Sequence, residues 1–336
     1  MNRLARLLIL PCFLILLPLA AAAGSGLESP DAAEPVPDAE PQLRFPGAGG
    51  VTSFHSYFSH NVEGLSRKVD SFFGANRIYE EGTGTYIQLR GFTAYGKGGE
   101  FEANGRVRAR IGLPNLEEKV NLLLESQEPE PGAEGEHLTT GYSQAQNLGA
   151  QSLATSLQYI LEQRDFWDVR LQPGIKLRWP PDPFVRLRLR WLNPLSQTWL
   201  SRVTLTPGWY SSRGWDAHLR YDLERNTGRN ALFRISSTLY WSEDQPRNPE
   251  WSEVLLLAHP LSDRVQMAYE VGVSGDVEPR IEDTRYFASV RYRRNIHMGW
   301  VFFELQPQLA FSRADDFKAN PMLWLTLEIL FGAKYL

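Results

Sequence analysis

The feature that most constrains the fold is a strict alternation of apolar and charged residues, clearest in Phe184-Val-Arg-Leu-Arg-Leu-Arg-Trp-Leu192. A β-strand sends successive side chains to opposite faces, so this stretch has one apolar face and one cationic face. A helix would spread the same arginines around its circumference. Two folds accept such a strand. A soluble β-sandwich packs the apolar face on its core, whereas a transmembrane barrel turns that face to lipid and the arginines to its lumen.

The period of two continues from about Thr83 to the C-terminus. Between residues 84 and 331 it predicts about fourteen strands, with twelve as the alternative number, and no helix-length segment separates them. Consecutive strands without crossover helices form an antiparallel meander. We therefore predict an all-β fold, an antiparallel up-and-down transmembrane β-barrel over residues 83–336.

The connections and the tryptophans favour the barrel over the sandwich. If the last strand ends in the periplasm, the periplasmic turns are short (164–166, 193–195, 261–263 and 296–298). The outer loops then include the long segments 128–152, 243–250, 275–283 and 312–321, as in outer-membrane barrels. All ten tryptophans fall near predicted strand ends, where a membrane barrel has its aromatic girdles. They are Trp167, Trp179, Trp191, Trp199, Trp209, Trp215, Trp241, Trp251, Trp300 and Trp324.

The first 23 residues have the pattern of a secretory signal peptide. Arg3 and Arg6 precede an apolar run over residues 7–19, and small residues follow at 21–23. The single cysteine, Cys12, lies inside that run, so the mature chain would contain none. This excludes a disulfide framework, a thiolate metal site and a cysteine nucleophile. A net charge of −4 and a mean hydropathy of −0.33 are too polar for a helical membrane protein.

Two different segments lie between the signal peptide and the barrel. Residues 24–50 alternate acidic residues with proline and are predicted to be a disordered linker. In residues 51–74 apolar side chains recur at steps of three and four, which predicts an amphipathic helix ending at Gly74. This helix could cap the open end of the barrel, plug its lumen, or bind a periplasmic partner.

The residues together resemble the bacterial outer-membrane β-barrel proteins, most of all the uncharacterised barrels of proteobacteria. In the closing stretch Trp324-Leu-Thr-Leu-Glu-Ile-Leu-Phe331 the apolar residues share one face, similar to the C-terminal signal read by the barrel-assembly machinery. Five residues follow Phe331, so the terminal aromatic of that signal is displaced. The resemblance implies insertion in the outer membrane, with lipid and the assembly machinery as partners. No motif matches a named porin or enzyme family.

The face opposite the apolar one carries more basic than acidic residues, which predicts a cationic lumen. The residues predicted to line the lumen and face anions are Arg106, Arg108, Arg110, Lys176, Arg178, Arg186, Arg188, Arg190, Arg291 and Arg293. These side chains could pair with carboxylates and close the lumen as a rigid network, because the planar guanidinium binds carboxylates bidentately. Alternatively, the surplus arginines could form a path for anions.

Catalysis, cofactors and metals find little support in the sequence. Only His218 has neighbouring residues of the kind that an outer-membrane hydrolase would need, because it shares a strand face with Arg220 and Asp222. No catalytic residue, metal site or cofactor is predicted, and nucleic-acid binding is disfavoured. We therefore expect a non-enzymatic channel or transport conduit. The alternatives are a closed structural or assembly barrel that recruits an envelope partner through residues 51–74 and, less favoured, a hydrolase.

Overall fold

The computed structural model describes residues 85–97, 99, 101–112, 119–126, 153–163, 166–228, 230–244, 249–277, 282–297 and 299–332. It also describes four positions further upstream, Leu65, Lys68, Val69 and Phe72. The predicted signal peptide and linker lie outside the described residues. So does most of the predicted helix over 51–74, although its four described positions have helical backbone. No helix among the described residues is long and apolar enough to cross a membrane.

Fourteen antiparallel strands form one closed barrel, as the alternation predicted. The strands are β1 (Tyr86–Tyr95), β2 (Phe101–Gly112), β3 (Val120–Glu125), β4 (Leu153–Gln163), β5 (Trp167–Leu177), β6 (Asp182–Pro194), β7 (Trp199–Tyr210), β8 (Gly214–Asn226), β9 (Leu232–Ser242), β10 (Glu250–Ser262), β11 (Val265–Asp276), β12 (Glu282–His297), β13 (Val301–Ser312) and β14 (Ala319–Gly332). Each strand pairs with its neighbours in sequence, and β1 pairs with β14. Closure gives every strand a hydrogen-bonded neighbour on both sides, as a hydrocarbon environment favours.

The barrel has an apolar outside and a polar inside. On β6 the exposed fraction of Val185 is 42%, whereas that of Arg186 beside it is 2%. On β10 Leu255 and Leu257 are exposed, and on β14 Leu325 and Leu327 are exposed. A soluble protein rarely exposes apolar surface on this scale, because it would promote association. A soluble sandwich is therefore wrong, and the chain has the architecture and the lipid-facing surface of an outer-membrane β-barrel.

The two ends of the barrel differ. The end at which β1 begins and β14 ends is called the lower end here, and the opposite end the upper end. Lower-end connections have two to seven residues, the shortest lying between β10 and β11, whereas the upper-end connection from β3 to β4 spans residues 126–152. At the upper end Ser312 caps a single 3₁₀ turn, Arg313–Asp315. The long connection after β3 agrees with the prediction, whereas the other upper-end connections have only three to seven residues, so the loops predicted at 275–283 and 312–321 are shorter than expected.

Most tryptophans lie at the two rims of the outer surface, with one clear exception. Trp167 stacks on Trp191 at the lower rim, with ring centroids 5.9 Å apart, and Trp209 and Trp215 are exposed at the upper rim. The prediction that Trp324 lies near a strand end, in an aromatic girdle, was wrong. β14 begins at Ala319, several residues earlier than expected, so Trp324 lies within the strand and on the inner face, where it is buried against Phe92 and Ala94.

Candidate functional site

The inner wall of the barrel is the candidate functional site, because nine of the ten residues predicted to line the lumen lie on its strands. On β6 Arg186, Arg188 and Arg190 are buried on the inner face while their apolar neighbours face outward. Such burial of cations is favourable only when partners lie within reach. The partners come from adjacent strands, through the register of the barrel.

A lower network surrounds Arg293, which lies on β12 and is fully buried. Its Nη2 donates to Glu328 on β14 at 2.7 Å, and its Nη1 donates to Glu304 on β13 at 3.1 Å. Arg90 on β1 lies 3.6 Å from Glu304 and 3.8 Å from Glu328, and Arg291 lies 3.4 Å from Glu304. These ion pairs join four adjacent strands, including the β1–β14 seam that closes the barrel.

A second network lies on β7, β8 and β9. Glu224 accepts from Arg234 Nε at 2.8 Å and from Arg202 Nη2 at 3.3 Å. On the same strand Asp222 accepts from Arg220 Nε at 2.9 Å and from the Ser236 hydroxyl at 2.6 Å. Both carboxylates are thus held by cations of their own or neighbouring strands.

The paired strands β5 and β6 bring several positive charges close together on the inner face. Arg170 is directly opposite Arg188 in the register, and Asp168 is opposite Arg190. Arg170 donates to Asp168, with Nη2 at 2.7 Å. Arg186 donates instead to a neutral acceptor, the Gln172 side-chain oxygen at 3.0 Å. Like charges directly opposite each other are unfavourable, and the Arg170–Arg188 pair places two positive charges side by side in this part of the wall.

The three predicted arginines of β2 lie on the same inner face. Arg108 Nε lies 3.4 Å from Glu125 on β3, and Arg110 Nε donates to the neutral Asn121 at 3.1 Å. Arg106 is directly opposite Arg90 of β1.

Lys176 and Arg178 belong to a separate cluster at the upper end. Arg178 follows the last residue of β5 and is largely exposed, so it lies at the mouth and not on the strand that the sequence suggested. Both cations approach Asp182, with Arg178 at 2.7 Å and Lys176 at 3.7 Å. The turn after β7 is fastened to the same carboxylate, which accepts from the Ser211 hydroxyl at 2.8 Å. The alternation did not single out this anchoring role of Asp182.

Basic side chains outnumber acidic ones among the described residues of the inner face. The basic ones are Arg90, Arg106, Arg108, Arg110, Arg170, Lys176, Arg186, Arg188, Arg190, Arg202, Arg220, Arg234, Arg285, Arg291 and Arg293. The acidic ones are Glu125, Asp168, Asp182, Asp216, Asp222, Glu224, Glu270, Glu304 and Glu328. This surplus holds for the described side chains of the inner face.

One part of the inner wall is apolar, and the sequence reasoning missed it. Leu232 on β9, Leu256 and Ala258 on β10, and Ala268 on β11 form a buried cluster on the inner face, named here the apolar strip. The signal was present in the sequence, because residues 254–258 of β10 are continuously apolar where an alternating strand would have polar residues. Leu65 and Val69 belong to the same packed cluster.

His218 lies buried on the inner face of β8. The nearby Asp222 is bonded to Arg220 and Ser236, and no hydrogen bond among the described residues joins it to the imidazole. Among the parts of the chain that the structure describes, no group of three or more His, Cys, Asp or Glu side chains could hold a metal ion.

Comparison with known proteins finds solved outer-membrane barrels that are similar to this chain at low identity. No protein-family model and no curated protein matches the sequence. OmpT, an outer membrane protein of Vibrio cholerae, is 10% identical, with a TM-score of 0.43, over 76% of this chain and 100% of that one. OprB of Pseudomonas putida is 10% identical, with a TM-score of 0.44, over 74% and 92%. The NanC porin is 8% identical, with a TM-score of 0.37, over 72% and 98%.

Proposed function

We propose that this protein is a non-enzymatic outer-membrane conduit for small anionic solutes. The observation that carries the proposal is the surplus of arginine on the inner wall of a closed barrel. A lumen with one sign of charge and low-dielectric walls concentrates ions of the opposite sign and repels those of its own. A barrel of fourteen strands is wide enough to hold water wherever side chains do not fill it.

The wall between β5 and β6 is the proposed anion-facing surface. There Arg188 lies directly opposite Arg170, between Arg186 and Arg190 on its own strand. Guanidinium groups suit carboxylate- and phosphate-bearing solutes, because each offers planar, paired donors. The same surface is less favourable for cations, which would meet several fixed positive charges at once.

Planar-bilayer recordings test this proposal. Purified full-length protein and a variant lacking residues 24–74 are compared in a salt gradient, and the reversal potential gives the ratio of anion to cation permeability. We expect anion selectivity that falls in a variant with Arg186→Gln, Arg188→Gln and Arg190→Gln. The control is Arg294→Gln, because Arg294 is an exposed residue on the outer face of β12. Cation selectivity, or no conductance from either parent protein, would overturn the proposal.

A second candidate function is supported by the tight burial of the inner wall. Arg293 and Glu328 are both 0% exposed, as expected if the networks close the lumen as rigid cross-links. In that case the barrel would be a structural or assembly platform that recruits an envelope partner through residues 51–74. Deletion of those residues would then abolish co-purification of the partner, and neither the full-length protein nor the variant lacking residues 24–74 would conduct. The hydrolase alternative fails if His218→Ala leaves lipid and ester turnover unchanged.

A further inference from the structure

We propose that the outer face of the barrel carries a contact surface for a second copy of this chain, centred on Glu253. The surface, named here the outer polar patch, consists of Tyr221 on β8, Ser237 on β9 and Glu253 on β10. It lies on the lipid side of the wall, apart from the lumen. Association there does not depend on the proposed conduit function.

The register of three adjacent strands brings the outer polar patch together. Tyr221 is directly opposite Ser237, and Ser237 is directly opposite Glu253. The neighbouring residues Arg220 and Val254 are buried on the inner face, so the pleat of the strands turns the patch residues outward. The Ser237 hydroxyl donates a hydrogen bond to the Glu253 carboxylate at 2.8 Å.

The position of Glu253 differs from that of the other charged residues on the outer face. Among the described strand residues that face outward, the remaining Asp, Glu, Lys or Arg side chains are Glu162, Arg225 and Arg294. Glu162 and Arg225 each precede the last residue of a strand at the lower end, and Arg294 pairs with Val265, the first residue of β11. Glu253 instead pairs with the middle residue of β9, so it lies between the two rims.

The surroundings of Glu253 are apolar apart from the patch itself. Trp251 and Leu255 are the nearest outward-facing residues on its strand, and Val273 is directly opposite it on β11. Within the described part of the chain, the Ser237 hydroxyl is the hydrogen-bonding partner of the carboxylate, and no cation forms an ion pair with it. A carboxyl group among lipid chains is costly, and such residues are found paired with other polar groups. A second protein surface can supply what lipid cannot.

The outer polar patch is able to pair with itself. It presents hydroxyl donors and a carboxylate acceptor side by side, so a second copy offers Glu253 the additional donors that lipid lacks. Two-fold symmetry is the commonest arrangement of such contacts, and an axis perpendicular to the membrane brings the same depth of both barrels together. Ser237 has a short side chain, which lets the two walls approach closely. A different protein that offers a cation is the competing occupant.

Site-directed cross-linking in isolated outer membranes tests the contact. The mature chain has no native cysteine if Cys12 is removed with the signal peptide. Leu255→Cys places a thiol beside the patch, and the control Leu327→Cys places one on β14, four strands away. The two leucines are matched in exposure, at 43% and 46%. A short bis-maleimide joins the thiols of neighbouring copies, and the products are sized on denaturing gels and identified by mass spectrometry.

We expect Leu255→Cys to give a product of twice the mass of the chain and Leu327→Cys to stay monomeric. When it is combined with Leu255→Cys, Glu253→Leu should weaken association about tenfold, because the contact loses hydrogen bonds to a charged group. Glu253→Gln keeps a donor and an acceptor at the same position, so most of the product should remain. A heat-modifiable band on the gel confirms that each variant is folded.

Three results would overturn the proposal. The first is an equal yield of dimer from both cysteine positions, or no dimer from the folded Leu255→Cys variant. The second is a product that joins Leu255→Cys to a different protein, which would replace the second copy as the occupant. The third is an unchanged yield of dimer in the presence of Glu253→Leu, which would remove the role assigned to the outer polar patch.

Discussion

The lower ion-pair network makes a specific prediction about Arg293→Ala. The substitution removes two charge-assisted hydrogen bonds, at 2.7 Å to Glu328 and 3.1 Å to Glu304, from a site with no solvent exposure. Removal of one partner from a buried ion pair costs about 3–5 kcal/mol, because the remaining charge stays buried and poorly compensated. Arg90 and Arg291 still lie near these carboxylates. We therefore expect the lower part of that range, about 3 kcal/mol.

The measurement is urea unfolding of the barrel in lipid vesicles, followed by tryptophan fluorescence. With an unchanged slope, the fall in the midpoint concentration gives the loss in the free energy of unfolding. Arg294→Ala is the matched control, since Arg294 is the next residue of β12 and is exposed on the outer face. Near the lower rim, a change of charge on the lipid-facing surface is expected to alter stability by less than about 1 kcal/mol.

A double substitution tests whether the loss of stability comes from the uncompensated carboxylates or from the loss of side-chain volume. In Arg293→Ala with Glu328→Gln one of the two abandoned carboxylates becomes neutral, so part of the loss should be recovered. Arg90 keeps its ion pair with Glu304 in that variant. A change below about 1 kcal/mol for Arg293→Ala, on the scale of an exposed ion pair, would refute the assigned role of the network. A double variant less stable than the single one would refute the proposed cause.

Two further predictions concern the wall itself. A Cβ at Gly174 would lie 2.4 Å from the Phe184 ring, so Gly174→Ala should lower the free energy of unfolding by about 1–3 kcal/mol through forced displacement of that ring. The control is Gly91→Ala, because no atom lies within 4 Å of the added Cβ. Equal stability of the two variants in urea unfolding would contradict the packing. Leu257→Arg on the outer face of β10 should cost about 2–4 kcal/mol if it faces mid-membrane, against about 0–1 kcal/mol for Leu261→Arg near the lower rim. Equal costs in the same assay would refute the assignment of the outer face to lipid.

The sequence alone was enough to determine the strand pattern and the direction of most side chains. Alternation is a local property, since the backbone of each strand sends neighbours such as Val185 and Arg186 to opposite faces whatever surrounds it. Lipid on one side and a polar interior on the other then enforce the alternation along every strand. The fourteen strands, the short lower turns and the inward-facing arginines of β2, β6 and β12 all follow from this periodicity.

Only the tertiary structure decided which side chains meet. Arg293 and Glu328 are 35 residues apart and pair through the register of β12, β13 and β14, in which Arg293 lies opposite Glu304 and Glu328 lies opposite Phe302. This register depends on the relative shift of whole strands. The pairing of β1 with β14 brings Trp324 against Phe92 and Ala94, and the apolar strip packs with Leu65 and Val69. Periodicity cannot reveal such contacts, because it specifies the face on which a residue lies but not its partner on another strand.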